Sequence, residues 1–291
     1  MVTAAQASSG KTHRDENFPV ASWLISARHR APILAFYRFV RAADDVADHP
    51  TLTADEKLEL LDGLGDALSG KGASDPQAEP LRIALRERGL SPRHAYDLLD
   101  AFRLDARKNR YADWAELMDY CRLSAMPVGR FVLDVHGEDR ATWPASDALC
   151  AALQVINHLQ DCGEDYRNLD RVYLPQDILA AHGAATDMLR SSPAAPPLRE
   201  AIAEMARRTS ELVDSGAVLS PRIANFRLSL EIAAIHNLAR HLARGLERRD
   251  PLSGSVHHGK AGFALIGGLG VLRGLATALG GSIGIRSRAR A

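Results

Sequence analysis

Two aspartate-rich runs in this sequence are spaced for metal chemistry. The first is Arg41-Ala42-Ala43-Asp44-Asp45-Val46-Ala47-Asp48. On a helix, Asp44 and Asp48 lie one turn above each other on one face, and Arg41 joins them. Like charges at that spacing repel, and a hard divalent cation with oxygen ligands offsets the repulsion. Alone, the run would equally suit a solvated helix end. The second run, Gln154-Val155-Ile156-Asn157-His158-Leu159-Gln160-Asp161-Cys162-Gly163-Glu164-Asp165, carries a stripe of Gln154, Asn157, Asp161 and Asp165. Leu153, Val155, Ile156 and Leu159 occupy the other faces, so the stripe sits on a helix with a buried character. A plain surface stripe mixes Lys and Arg with its acids. This one offers only amides and carboxylates.

Magnesium keeps near-octahedral geometry and is usually held by one or two carboxylates together with phosphate oxygens. Carboxylates on two opposing helices therefore suit a magnesium-bridged diphosphate, with Arg41 adding charge-assisted hydrogen bonds. Cleavage of the carbon–oxygen bond would leave an allylic or cyclopropyl carbocation. Such a cation needs apolar, water-poor walls and aromatic faces. Phe18, Phe36, Tyr37 and Tyr120 are candidates, although each also suits an ordinary core.

Both runs have to be positioned by helices. Aromatic content is 5% and no sustained strand alternation occurs, while apolar residues recur at three- and four-residue spacing. The pattern predicts helices over 30–48, 54–69, 78–88, 92–108, 113–136, 145–166, 198–215, 222–248 and 258–280, in an all-α fold. His49-Pro50, Ser91-Pro92, Trp143-Pro144 and Asp250-Pro251 punctuate them. A flexible stretch over 1–14, a main domain over 15–257 and an apolar, basic-ended tail over 258–291 are expected. Residues 261–280 are about long enough to span a bilayer, but Arg273 and six glycines favour a buried or interfacial helix.

Several other chemistries are excluded. Lys+Arg and Asp+Glu both number 36, so no net field recruits nucleic acid. Cys121, Cys150 and Cys162 form no Cys-x-x-Cys pair, which disfavours structural zinc or a disulfide framework. With no apolar leader in the first residues, a cytoplasmic protein is expected, with peripheral membrane contact through the tail. Gly65-x-x-x-x-Gly70-Lys71 approaches a phosphate-binding loop, but Gly72 stands where a hydroxyl should hold magnesium. No His-Glu-x-x-His or Glu-x-x-His motif is present, and no dinucleotide fingerprint follows a strand.

The sequence resembles the squalene/phytoene synthase family over roughly residues 15–255. The resemblance is carried in order by Phe18, then Phe36-Tyr37-x-x-x-Arg41-x-x-Asp44-Asp45-x-x-Asp48, Asp105, Arg110-Tyr111-x-x-Trp114, Tyr120-Cys121-x-x-x-Ala125-x-x-Val128-Gly129, the second acidic run and Arg171-Val172-Tyr173. It implies an all-helical isoprenoid synthase fold with magnesium as cofactor. Asp44, Asp48, Asn157, Asp161 and Asp165 would be metal ligands or their close supports, and Arg41 and Arg171 diphosphate contacts. Phe18, Tyr37, Tyr120, Gln154 and Tyr173 would line the reaction pocket. Within the family, Glu16-Asn17-Phe18-Pro19-Val20, Arg171-Val172-Tyr173-Leu174-Pro175 and Asp250-Pro251-Leu252-Ser253 are most similar to the bacterial branch of hopanoid biosynthesis. That branch takes presqualene diphosphate, expels diphosphate and captures the rearranged cation with water. The alternatives are a branch that condenses two prenyl diphosphates such as farnesyl diphosphate, and a non-catalytic prenyl diphosphate-binding protein. Condensing members often carry Ser-x-Ser-Phe where this chain has Asp15-Glu16-Asn17-Phe18, and acids there would repel a second diphosphate. Met126 and Pro127 replace the small residues usual after Ala125 in phytoene synthases.

Overall fold

The structure, a computed structural model, describes residues 24–254, 256 and 266–272. Phe18 and the rest of 15–18 lie outside the described residues. The chain begins with α1 (Ala27–Ala47), α2 (Ala54–Ser69), α3 (Ala78–Arg88) and α4 (Arg93–Asp105). It continues with α5 (Trp114–Ser124), α6 (Met126–His136), α7 (Trp143–Leu169) and α8 (Gln176–Ala181). It ends with α9 (Pro196–Gly216), α10 (Leu219–Arg222) and α11 (Phe226–Leu246), and residues 266–272 are helical as well. Among the described residues the one extended pairing is an isolated bridge, Arg110 to Val172.

Local chemistry sets most of these limits. Thr53 and Glu56 form a capping box at the start of α2, and Asp113 and Asn225 cap α5 and α11 by accepting from Glu116 N and Leu228 N. Pro32 lies inside α1 and cannot donate to the carbonyl four residues back. That carbonyl, Arg28 O, instead accepts from the Arg88 guanidinium. The predicted helix over 113–136 is in fact two helices, broken at Ala125 (φ −126°, ψ −48°). Pro127 explains the break. It has no N–H to continue α5, whereas in the first turn of α6 none is needed. The helix expected over 92–108 stops at Asp105, and the one expected over 222–248 starts at Phe226, after the separate turn α10. The short α8 and the 3-10 turn Thr186–Arg190 were not legible, being too brief to show periodicity.

The helix α1 packs against α2, α3, α4 and α6, while α7 packs against α5, α6, α9 and α11. The two are brought to face each other across a cavity. Direction is fixed at both ends. Glu138, in the link after α6, is 8% exposed and accepts from Ala224 N and Asn225 N, which seats the start of α11 beside the start of α7. Arg227 donates to Leu24 O, so α1 begins at the same end. At the other end Gln160 donates to Val256 O, and Gly163 allows Leu252 to lie against α7. The helices α1, α7 and α11 therefore run in the same direction along the cavity.

Part of the predicted terminal helix packs on α11. A Cβ on Gly270 would come 2.6 Å from Ala233 O, so only glycine permits this approach. Asn237 also donates to Ile266 O at 2.6 Å. Leu269 and Leu272 are exposed. Among the described residues no helix is long and apolar enough to cross a membrane.

Replacing Glu138 with Ala should remove two charge-assisted hydrogen bonds from the Ala224 and Asn225 backbone donors, at roughly 1 kcal/mol each. We expect a lower midpoint in urea with an unchanged slope. A midpoint equal to wild type would show that water satisfies these donors and that Glu138 does not fix the start of α11.

Candidate active site

A cavity of about 510 Å³ lies between α1 and α7 and is closed by α4, α5, α6 and α11. Its α1 wall is the stripe Phe36, Tyr37, Val40, Arg41, Asp44 and Asp48, at helical spacing. Its α7 wall contains Gln154, Asn157, His158, Asp161 and Asp165. Tyr120, Asp105, Arg171 and Tyr173 line it too. The fold thus brings together every sequence-predicted site residue among the described residues. Phe36 is a wall residue as well as a core one, stacked on Phe131 with centroids 4.0 Å apart.

The cavity has two unlike ends. Both acidic stripes sit at the C-terminal ends of α1 and α7, whereas Ile25, Leu149, Leu219 and Leu228 line the other end. Protein mass around the acidic end raises the cost of charge there. Burial and the neighbouring Asp48 push Asp44 up to about 8, against the pull of Arg41. Burial, Asp161 and Asp48 push Asp165 up to about 7. Asp48 acts on Asp165 across the cavity, so the two stripes feel each other. This carboxylate-rich, mutually repelling donor set fits a divalent cation. Among the described residues, however, no three carboxylate, imidazole or thiol groups converge closely enough to hold a metal by themselves. A metal between the stripes would need further oxygen ligands, as a diphosphate would supply.

The two expected diphosphate contacts are arginines that the fold ties to aspartates. Arg41 is 2.9 Å from both Asp44 and Asp45. Asp45 is buried away from the cavity and holds the guanidinium from behind. Arg171 is buried, donates to Asp48 and caps α1 by donating to Ala47 O at 2.9 Å. It is positioned by the strap after α7. Asp170 turns the chain in the left-handed region (φ 52°), Val172 N donates to Asn109 O, and Gln176 N donates to Tyr111 O.

Sequence reasoning left Asp105 and His158 without roles, and both prove central. Asp105 accepts from Tyr120 at 2.7 Å and from Tyr173 at 3.0 Å, which fixes both phenols beside the acidic end. Burial pushes Asp105 up to about 6 despite Arg171 and the two phenols. Tyr111 and His158 stack on Tyr173, at 5.5 Å and 3.5 Å between centroids. Burial, with Arg171 nearby, lowers His158 to about 3, so the ring is neutral and accepts from Gln154 at 3.0 Å. The signal for Asp105 was an acid on the apolar-periodic helix α4, between Phe102 and the Arg110-Tyr111 turn.

The squalene/phytoene synthase family model matches residues 11–261. A hydroxysqualene synthase of Rhodopseudomonas palustris is 57% identical over 88% of each chain, and one of Sinorhizobium fredii is 53% identical over the same shares. Among solved structures, the squalene synthase HpnC of Alicyclobacillus acidocaldarius is 32% identical with a TM-score of 0.69, covering 79% of this chain and 87% of its own. A dehydrosqualene synthase in complex with a ligand, 23% identical, shares the fold with a TM-score of 0.79 over 94% of this chain and 96% of its own.

The raised carboxylates carry a sign that can be measured. With Asp44 near 8 and Asp165 near 7 in the folded state, against an ordinary 3.8, the folded chain holds more protons than the unfolded chain between these values. Their contribution to stability therefore falls as pH rises from about 4 to about 8. In chelator, wild type should lose more melting temperature between pH 5 and pH 8.5 than the Asp44→Asn, Asp165→Asn double variant. Magnesium should restore more at the alkaline end. Parallel curves for the two proteins would remove the electrostatic account of the site.

Proposed function

The chain belongs to the squalene/phytoene synthase family, and we propose that it works as a hydroxysqualene synthase, ionising presqualene diphosphate and capturing the rearranged cation with water. The observation that carries this is the polarity of the cavity, with paired acid stripes at one end and an enclosed apolar wall at the other.

Asp44, Asp48, Asn157, Asp161 and Asp165 would hold magnesium. When bound, magnesium supplies Lewis-acid charge for the departing diphosphate. Arg41 and Arg171 each have donors at the same end and orient phosphate oxygens through charge-assisted hydrogen bonds. Tyr120, Tyr173 and His158 present neutral aromatic faces to the positive charge left on carbon. Their hydroxyls are held by Asp105, so neither phenol swings in to trap the cation early. Phe36, Val40, Leu153 and the α6 wall keep water out until rearrangement is complete. The described cationic lining consists of Arg41 and Arg171, each at the acid end and each paired with aspartate. That supports one diphosphate leaving group per turnover over a condensation of two prenyl diphosphates.

Asp44→Asn and Asp161→Asn should each lower turnover by more than about 100-fold while helicity is retained. Chelation should stop wild-type turnover and magnesium restore it. Retention of more than roughly a tenth of wild-type activity in both variants would contradict the clamp. With presqualene diphosphate in heavy-oxygen water, the product should be an alcohol with one solvent oxygen, unaffected by reduced nicotinamide. An unlabelled hydrocarbon that forms only with the reductant would instead make the chain a reductive, squalene-forming enzyme.

Peripheral membrane contact through the tail is part of the same reading, because the substrate is apolar and Leu269 and Leu272 face outward. Deleting 258–291 should weaken co-sedimentation with liposomes and leave the helical content of the remainder. Collapse of the fold on deletion would make the segment core and remove the membrane role.

A further inference from the structure

The apolar end of the cavity contains one group that the chemistry at the acidic end does not use. Glu231, on α11, is 3% exposed and lines the cavity next to Leu228, Ile232 and Ile235. It shares its face of α11 with the apolar Leu228, three residues before it, and Ile235, four residues after it. Its level along the cavity follows from the helix register. The start of α11 is tied beside the start of α7 through Glu138, and Gly216 at the end of α9 packs on Ala145 and Leu149. Glu231, five residues into α11, is therefore level with Leu149 and Cys150 on α7. From Cys150 to Asp161 the helix advances eleven residues, roughly 17 Å at about 1.5 Å per residue. That is about the reach of one extended fifteen-carbon prenyl chain from a diphosphate held at the acidic stripes.

Hydrocarbon gains nothing by contact with a carboxyl group. A longer chain pressed against Glu231 would have to strip or displace whatever satisfies it, a cost that apolar walls do not impose. Leucine or isoleucine at this level would present hydrocarbon in place of that carboxyl group. With the reading of the cavity as an isoprenoid diphosphate site as its premise, we propose that Glu231 is a specificity-determining residue that ends the prenyl-compatible wall and so limits the chain length the enzyme accepts.

The test is competition between presqualene diphosphate and its forty-carbon homologue, built from twenty-carbon units, with magnesium present and diphosphate-free products measured by mass. Wild type should favour the thirty-carbon substrate. Glu231→Ala removes both the carboxyl group and its bulk and should narrow that preference by at least about 5-fold, mainly through kcat/KM for the longer substrate. Glu231→Leu keeps the bulk and should move the ratio the same way by less. Glu231→Gln keeps size and polarity and should stay within about twofold of wild type. If Glu231→Ala and Glu231→Leu turn over the thirty-carbon substrate with the wild-type ratio, the assignment is overturned while the reading of the site stands. If wild type turns over neither substrate, the reading of the site fails and takes the assignment with it. Loss of the helical circular dichroism signal in both apolar variants would mark Glu231 as structural and overturn it equally.

Discussion

The structure is organised around an unfavourable interaction, the repulsion among carboxylates that face each other within an enclosure of low polarisability. Helix geometry alone stacks Asp44 over Asp48 and Asp161 over Asp165, and burial then makes each further charge costlier. A fold selected only for stability would not keep this set. The surrounding elements offset part of the cost with arginines aimed at the acids, Arg41 from within α1 and Arg171 from the strap after α7. The remainder is available to a cation and an anionic ligand that arrive together. Among the described residues neither stripe offers a metal enough donors by itself, so a metal held there would need further oxygen ligands.

The opposite end of the cavity follows a different constraint. A carbocation is quenched by the first water it meets, so its walls have to be tightly packed and apolar. The crossing of α6 on α7 illustrates the tolerance. A Cβ on Gly129 would fall within 2.6 Å of Cys150 Sγ and closer still to Ser146 Oγ. The two helices approach that closely because glycine stands there, and the Ser146 and Cys150 side chains pack directly on its backbone. The aromatic group of Tyr111, Tyr120, Tyr173 and His158 lies between the two regimes. It is polar enough to border the acids, with the Tyr120 and Tyr173 hydroxyls held by Asp105 and the imidazole neutral.

How much of this could be read from the sequence depended on range. The acidic stripes were legible because four-residue spacing on one helix determines a shared face without reference to anything else. Arg171 and Tyr173 were named through a resemblance, but their placement depends on pairing between 109–112 and 172–177, which no local pattern reveals. Asp45 looked like a third member of the first acid run, yet it turns behind Arg41 and away from the cavity. The break at Ala125 was missed because apolar periodicity runs on across it, whereas the missing N–H of Pro127 is a single-residue effect. Asp105 and Glu231 were hardest to see. A lone acid on an apolar helix has a meaning only when the partner helices are known.

These contrasts bear on how one fold serves several related reactions. The acidic end answers to the diphosphate, which every prenyl substrate shares, so it leaves little room for variation. Selectivity has to reside where substrates differ, in the length of the hydrocarbon and in the moment at which water is admitted. The far walls of the cavity come from α6 and α11, which are seated by contacts remote from the acids, including Glu138 on the start of α11 and Gly129 against α7. Changes on those walls need not disturb the acidic stripes. A buried carboxyl group at the far wall is therefore more telling than another acid beside the clamp would be. At the far wall a carboxyl group, together with whatever satisfies it, sets a polar boundary that hydrocarbon gains nothing by crossing.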